Sequence, residues 1–243
     1  MIPIAPNDIV VFCGDSITDQ GVFRPAIDAI NLRLTPRRPG GSIAVVRSRI
    51  PSRGGVSVSV PRQPIRPIIS GTPGDTAESI AVNIPGRITN FNPDAVVLFV
   101  GVNDALTATP LATFNAAIDT ILAGIAAYDA TTPTMVLSIF TAGEQWSAGP
   151  VWDNALDPPP SNPGYTPSIA QLDAEKVTAI ADSTLTTAEY LDLRAAALAF
   201  LAAHNTPAPG AHDGFLTSDG VHPLIPFGQV FISDLVVAGM AVS

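Results

Sequence analysis

Five short apolar runs set the rhythm of the chain. Residues 8–13 (DIVVFC), 65–70 (IRPIIS), 95–100 (AVVLFV), 134–140 (TMVLSIF) and 189–193 (EYLDL) are rich in β-branched side chains and bounded by Gly, Pro or Asp, as strands are. The third run is almost unbroken in its apolarity, as a strand covered on both faces requires. Between the runs the spacing turns helical. Leu111, Phe114, Ile118, Ile121, Leu122, Ile125 and Tyr128 recur at three- and four-residue intervals, which predicts an amphipathic helix laid on the sheet. Weaker helical patterns cover about 22–34, 76–88, 168–181, 194–204 and 226–240. Strands alternating with helices predict an α/β fold whose parallel sheet is built from βαβ units.

Two stretches break the alternation. Residues 36–64 carry Gly40-Gly41 and Gly54-Gly55 around apolar pieces at 43–46 and 56–60, the makings of an inserted hairpin or long loop. Residues 150–167 (PVWDNALDPPPSNPGYTP) hold too many prolines for a helix or a central strand and predict an ordered, irregular excursion. Because it follows the fourth strand, it falls on the carboxyl edge of the sheet, where open α/β folds place ligands. A length of 243 residues with 47% hydrophobic content suits one domain spanning the chain.

Charge narrows the range of partners. The formal net charge is -9, with ten Arg against seven acidic residues in the first hundred positions and one Arg and one Lys against fourteen acids thereafter. Phosphate-backbone binding needs a concentrated basic surface, so nucleic acid is not the expected partner; the arginines from Arg33 to Arg66 read as decoration of an exposed loop. Cys13, the only cysteine, forms no internal disulfide and sits in an apolar run as a buried thiol. The start, MIPIAP, lacks the charged, then apolar, build of a signal peptide, and the apolar tail over 230–242 is interrupted by Asp234 and too short to span a bilayer. The expectation is a soluble protein without a membrane span, cytoplasmic by default, of open oligomeric state.

Four short blocks carry candidate chemistry. After the first strand comes Gly14-Asp15-Ser16-Ile17-Thr18, where a tight turn would hold Ser16 rigidly at the sheet edge with its backbone N–H turned toward a ligand. By itself the motif fits a helix capped by Ser16 or Thr18 better than a nucleophile. After the second strand comes Ser70-Gly71-Thr72-Pro73-Gly74-Asp75-Thr76, a turn whose glycines can bring a backbone N–H close to a ligand. It is no phosphate loop, since no Gly-Lys-Ser/Thr and no G-x-G-x-x-G occurs. The third strand ends in Gly101-Val102-Asn103-Asp104, and an Asn there can donate from its NH2 to a developing negative oxygen or simply shape a turn. Near the C-terminus stands Ser218-Asp219-Gly220-Val221-His222-Pro223. Its Asp and His are spaced to meet on a turn, the carboxylate holding one ring nitrogen and leaving the other to take a proton from a serine. His204 and His212 lack such a partner and read as surface residues.

In this order the four blocks resemble the SGNH (GDSL-type) hydrolase superfamily, whose members place Ser, Gly, Asn and His in successive blocks. The resemblance implies a three-layer α/β/α sandwich with a five-stranded parallel sheet in the flavodoxin-like order 2-1-3-4-5. It implies that Ser16 is the nucleophile, His222 the general base and then acid, and Asp219 the residue that orients His222. The oxyanion would be held by the N–H groups of Ser16 and Gly74 and the side chain of Asn103; Gly71 is the rival for the glycine role. The long 36–64 segment and Pro73 depart from the family pattern and bear on pocket shape. The α/β-hydrolase elbow G-x-S-x-G is absent, since Thr18 holds its last position. No zinc-site spacing occurs among the three histidines, and the implied chemistry needs no cofactor and no metal.

The implied partner is a small-molecule or glycan acyl ester. Trp146, Trp152 and Tyr165 fall in or beside the proline-rich excursion, and aromatic faces there could stack on a sugar ring, cover an acyl chain or pack the excursion onto the body. Among these, a short-chain O-acyl group, with carbohydrate O-acetyl in front, is the expectation, with Trp146 and Trp152 as substrate contacts. The alternatives are a lysophospholipase- or thioesterase-type acyl hydrolase and a non-catalytic glycan-binding or structural module on the same fold.

Overall fold

The computed structural model describes residues 1–34, 65–140, 167–204 and 227–242. Its central sheet comprises β2 (Asp8–Gly14), β3 (Ile65–Gly71), β4 (Ala95–Phe99), β5 (Thr134–Leu137) and β6 (Ala188–Leu191). All neighbours are parallel, in the order β3-β2-β4-β5-β6. Numbered among themselves these strands run 2-1-3-4-5, the order the resemblance implies. Each of the five apolar runs is one strand, shifted by a residue or two at its ends. The fourth is shortened most, because strand pairing stops at Leu137 and the buried Ser138, Ile139 and Phe140 continue without it.

Every residue of β4 is buried, so both faces of the sheet are covered. One cover is α2 (Arg24–Leu34) packed on α9 (Phe227–Ala238); the other is α6 (Leu111–Tyr128), which packs on both α3 (Ala77–Ala81) and α7 (Ile169–Asp182). Right-handed crossovers assign these groups to opposite faces, because the chain moves one way along the sheet from β2 to β3 and the other way from β3 to β6. The remaining helices are α1 (Ser16–Asp19), α4 (Ile84–Arg87), α5 (Val102–Leu106) and α8 (Leu193–His204). By length and composition alone α6 could cross a membrane. Here its stripe of Phe114, Ala117, Ile118, Ile121, Leu122 and Ile125 is buried in the core.

Two features depart from the sequence pattern. The helix expected over 76–88 is two helices, because Pro85 has no N–H to continue the ladder. Asn83 caps the second piece by accepting from the Gly86 N–H at 3.2 Å. A second small sheet also forms, with β1 (Ile2–Ile4) parallel to β7 (Met240–Val242). It ties the two ends of the chain together over buried Ile2, Ile4 and Met240. The 36–64 insertion lies outside the described residues, as does the proline-rich excursion except for its last residue.

Beneath the carboxyl edge of β2 the core is aromatic. Phe12 stacks on Phe23 with ring centroids 4.8 Å apart, and Phe23 meets Phe99 edge-on at 6.0 Å. Gly14 ends this strand where no side chain fits: a Cβ there would collide with the Phe99 carbonyl oxygen and with Thr18 Oγ1. The glycine lets β4 and α1 close on the strand end that delivers Ser16.

Candidate active site

The strand register collects three of the four blocks. Gly14 pairs with Gly71 on one side and with Phe99 on the other, so β2, β3 and β4 end level with one another. The segments leaving these strands emerge at the same edge: Ser16, the turn containing Gly74, and α5 with Asn103. The Thr72 N–H donates to the Gly14 carbonyl at 3.2 Å, carrying the pairing of the first two blocks one residue past the strands.

Ser16 opens α1, and the cap is supplied by its neighbour. Asp15 Oδ1 accepts from the Ile17 N–H at 2.9 Å from a fully buried side chain. The capping role open to Ser16 or Thr18 therefore falls to Asp15, and Thr18 is buried inside the turn. Ser16 is half-buried between buried Asp15 and buried Ile17, at the level where the sheet ends.

The second block is a tight turn in which Pro73 fits. The Thr72 carbonyl accepts from the Asp75 N–H at 3.2 Å, Pro73 holds the first corner and Gly74 the second with φ +84°. That is the type II pattern, which favours Pro then Gly at those corners. Nothing lies within 4 Å of a Cβ built on Gly74, whereas one on Gly71 would collide with the backbone of Asp19 and Asp15. The two glycines thus do different work: Gly71 admits α1 against the end of β3, and Gly74 stands exposed on the turn. Thr76 then caps α3, accepting from the Ser79 N–H at 3.3 Å.

Asn103 lies on α5 and is half-buried. Its Nδ2 donates to the Asp75 carbonyl at 2.8 Å. An NH2 group has two protons, so one bond to the second block leaves the other proton for a further acceptor. The adjoining Asp104 is buried and its Oδ2 accepts from the Ala77 N–H at 3.0 Å. Burial pushes its carboxyl above the usual range, opposed by that bond and by the Lys176 ammonium. The third block is thereby tied once to the second and once to the start of α3 behind it.

One charged residue that the sequence did not single out stands among these turns. Arg87, the last residue of α4, pairs with Asp75 Oδ2 at 2.8 Å, and the two side chains are only 14% and 16% exposed. Arg87 Nη2 donates to the carbonyls of Gly14 and Ser70, both at 2.9 Å, and Nη1 donates to Thr72 Oγ1. Below lies Cys13, fully buried, its thiol pushed up to about 11 chiefly by burial. A shift of that size cuts the thiolate fraction near pH 8 about hundredfold. Iodoacetamide is therefore expected to leave Cys13 unmodified in the native protein and to label it fully in urea, read by intact mass. Rapid labelling of the native protein would contradict the buried placement.

Asp219, His222, Trp146 and Trp152 lie outside the described residues. The chain on the C-terminal side of His222 returns to the segment that follows α1: α9 starts at Phe227, and Ser233 Oγ donates to the Val22 carbonyl at 2.9 Å. Near the start of α9, Gln229 Nε2 donates to the carbonyl of Gln20, the residue that ends α1, at 3.5 Å.

Known proteins share this architecture. The chain is similar to an acetyl xylan esterase, AlAXEase, at 20% identity, with a TM-score of 0.67 over 95% of this chain and 98% of that one. It is similar to an acetyl xylan esterase from Geobacillus stearothermophilus at 17% identity, with a TM-score of 0.63 over 97% of this chain and 95% of that one. An alpha/beta hydrolase enzyme from the metagenome of Lake Arreo, Spain, aligns at 15% identity, with a TM-score of 0.66 over 97% of this chain and 95% of that one. At these identities the likeness bears on the fold. No curated protein matches the sequence. The model of the GDSL-like Lipase/Acylhydrolase family matches residues 12–224, most of the chain and all four blocks in order, and the chain therefore belongs to that family of SGNH-type carboxylic ester hydrolases.

Proposed function

We propose that the protein hydrolyses short-chain O-acyl esters through a Ser16–His222–Asp219 set, with the N–H groups of Ser16 and Gly74 and the Asn103 side chain as oxyanion donors. The observation that carries this reading is the common level at which β2, β3 and β4 end, together with the Asn103 amide bonded to the Asp75 carbonyl at 2.8 Å. It sets a serine, an exposed glycine turn and a half-used amide at one edge of one sheet. The path back from α9 supports His222: the chain between Phe227 and His222 can span up to about 17 Å, and the start of α9 touches the end of α1.

In the first half-reaction Ser16 Oγ attacks the acyl carbon while its proton passes to His222 Nε2. The carbonyl oxygen becomes an oxyanion against the three donors. The bond to the alcohol oxygen then breaks, His222 protonates the departing alkoxide, and an acyl-Ser16 ester remains. Water attacks that ester as His222 takes its proton, the acyl–Oγ bond then breaks as His222 returns the proton to Ser16 Oγ, and the carboxylic acid leaves. Asp219 accepts the Nδ1–H of His222 throughout, fixing the tautomer in which Nε2 can take the proton.

Two of the structurally similar proteins are acetyl xylan esterases, which supports a carbohydrate O-acetyl group as the favoured substrate, with Trp146 and Trp152 as the aromatic contacts for the sugar. The test is a panel of acetylated xylo-oligosaccharides against p-nitrophenyl acetate, butyrate and octanoate. A sharp fall in kcat/KM beyond acetate, with turnover of the acetylated sugars, is expected. Preference for octanoate would replace this reading with a lipase- or thioesterase-like one, and no turnover of any ester would favour a binding module. With His222 as base, kcat/KM for p-nitrophenyl acetate should rise through roughly pH 6 to 7 as imidazole loses its proton. A profile flat across that range would remove His222 from the mechanism.

A further inference from the structure

The donors proposed for the oxyanion come from three separate turns. None of these turns is long enough to be rigid by itself: α1 has four residues and α5 five, and the Gly74 turn is exposed. Placement errors of an ångström at such donors are costly in rate, so something has to hold the three turns in register. Backbone pairing does part of this and stops at Thr72. Past that point the contacts converge on one side chain.

The guanidinium of Arg87 is that point of convergence. Nη2 bridges the carbonyls of Gly14 and Ser70, which belong to adjacent strands, at 2.9 Å each. Nη1 reaches the hydroxyl of Thr72 and the carboxylate of Asp75, the two residues that flank Pro73-Gly74. Asp75 in turn offers its backbone carbonyl to Asn103 Nδ2 at 2.8 Å. A planar fork with several donors can satisfy such a set of acceptors at once, and an ammonium cannot. We propose that Arg87 is a positioning residue for the oxyanion site, fixing the Gly74 turn and, through Asp75, the Asn103 amide against the strand end that carries Ser16, a role that rests on the Ser16 mechanism proposed above.

The loss from displacing these donors should fall on the transition state and spare ground-state binding. Arg87→Met, Arg87→Lys and Asp75→Asn would be assayed with p-nitrophenyl acetate, with kcat expressed per active serine titrated by a fluorophosphonate. The Ki of trifluoroacetophenone, whose serine adduct carries a tetrahedral oxyanion, would be measured in parallel. Arg87→Met is expected to lower kcat about 30-fold with KM within about twofold, and to raise that Ki by a similar factor. Arg87→Lys should recover only part of the loss, and Asp75→Asn should cost about 10-fold with the same signature. If Arg87→Met does not fold, the other two variants decide by the same criteria. Unchanged kcat and Ki in the folded variants would overturn the positioning role, as would a fall in kcat with Ki unmoved. Wild-type turnover by Ser16→Ala would be a different failure, since it removes the Ser16 mechanism itself whatever Arg87 does.

Discussion

Ser16→Ala is expected to lower kcat for p-nitrophenyl acetate by about 10⁴- to 10⁶-fold, with circular dichroism and melting temperature little changed. The fold should tolerate the change because the cap of α1 comes from Asp15, whose Oδ1 accepts the Ile17 N–H, and Gly14 provides the close approach to β4. Asp219→Asn should cost about 10⁴-fold, because an asparagine favours the wrong imidazole tautomer. Residues that act as one unit do not add: Ser16→Ala combined with Asp219→Asn should be no slower than Ser16→Ala alone. Stepwise losses in the double variant would mean that the two residues work independently. Ser16→Ala with wild-type kcat would mean that another group attacks the ester.

Such a reading of Ser16 needed more than its own motif. Gly-Asp-Ser after a strand describes a helix cap as well as a nucleophile, and the structure does place a cap there, on Asp15. What separates the two is the company at the sheet edge, and that was legible because three further blocks follow in order, each placed where a strand or turn can deliver it to that edge. The runs that became β2, β4 and β5 were legible because near-continuous apolarity is a local property that burial on both faces demands, whereas β3 and β6, at the edges of the sheet, are only partly buried and showed through their β-branched and aromatic residues and the Gly, Pro or Asp that bound them. Pro73, a departure from the family pattern, turned out to suit a turn whose next corner is a glycine at φ +84°.

The remainder was hidden for physical reasons. Arg87 is one of ten arginines in the first hundred residues, and nothing local distinguishes it; its partners at Gly14, Ser70 and Asp75 lie between twelve and seventy-three positions away and meet it only after the sheet forms. One signal was available, since Arg87 follows Pro85 inside a helical pattern that a proline must break. The pairing of β1 with β7 was likewise invisible, because three-residue strands at opposite ends of the chain carry no periodicity to read. Lys176, the only lysine, appeared on a predicted helix where a solvated face is the ordinary expectation, yet it is fully buried.

That burial sets up the second large effect. Lys176 Nζ donates to the Leu137 carbonyl at 2.9 Å and to Asp173 Oδ1 at 3.1 Å, and the same Oδ1 accepts the Ile139 N–H at 3.0 Å. The pair pins α7 to the end of β5, and its ammonium lies next to Gly101, where α5 and Asn103 begin. Lys176→Met leaves the Asp173 carboxylate buried without its cation, so a loss of about 3–5 kcal/mol in unfolding free energy is expected from urea denaturation. Asp173→Asn preserves an oxygen for Ile139. Combined with Lys176→Met it should cost about 2–3 kcal/mol less than the two single losses added together, because the double variant removes the Asp173 charge together with its cation and only Asp104 loses the Lys176 ammonium. The pH dependence has a definite sign. Burial pushes the Asp173 carboxyl up in the folded protein and the Lys176 ammonium opposes that rise, so without Lys176 it rises further. Above the unfolded carboxyl value near 3.9 the folded Lys176→Met protein holds a proton that the unfolded chain has released, and its stability falls as pH rises through that window. Its deficit against the wild type should therefore be smallest near pH 4 and largest at neutral pH. A deficit below about 1 kcal/mol at neutral pH, or strictly additive losses in the double variant, would show that the two charges are not coupled across the end of β5.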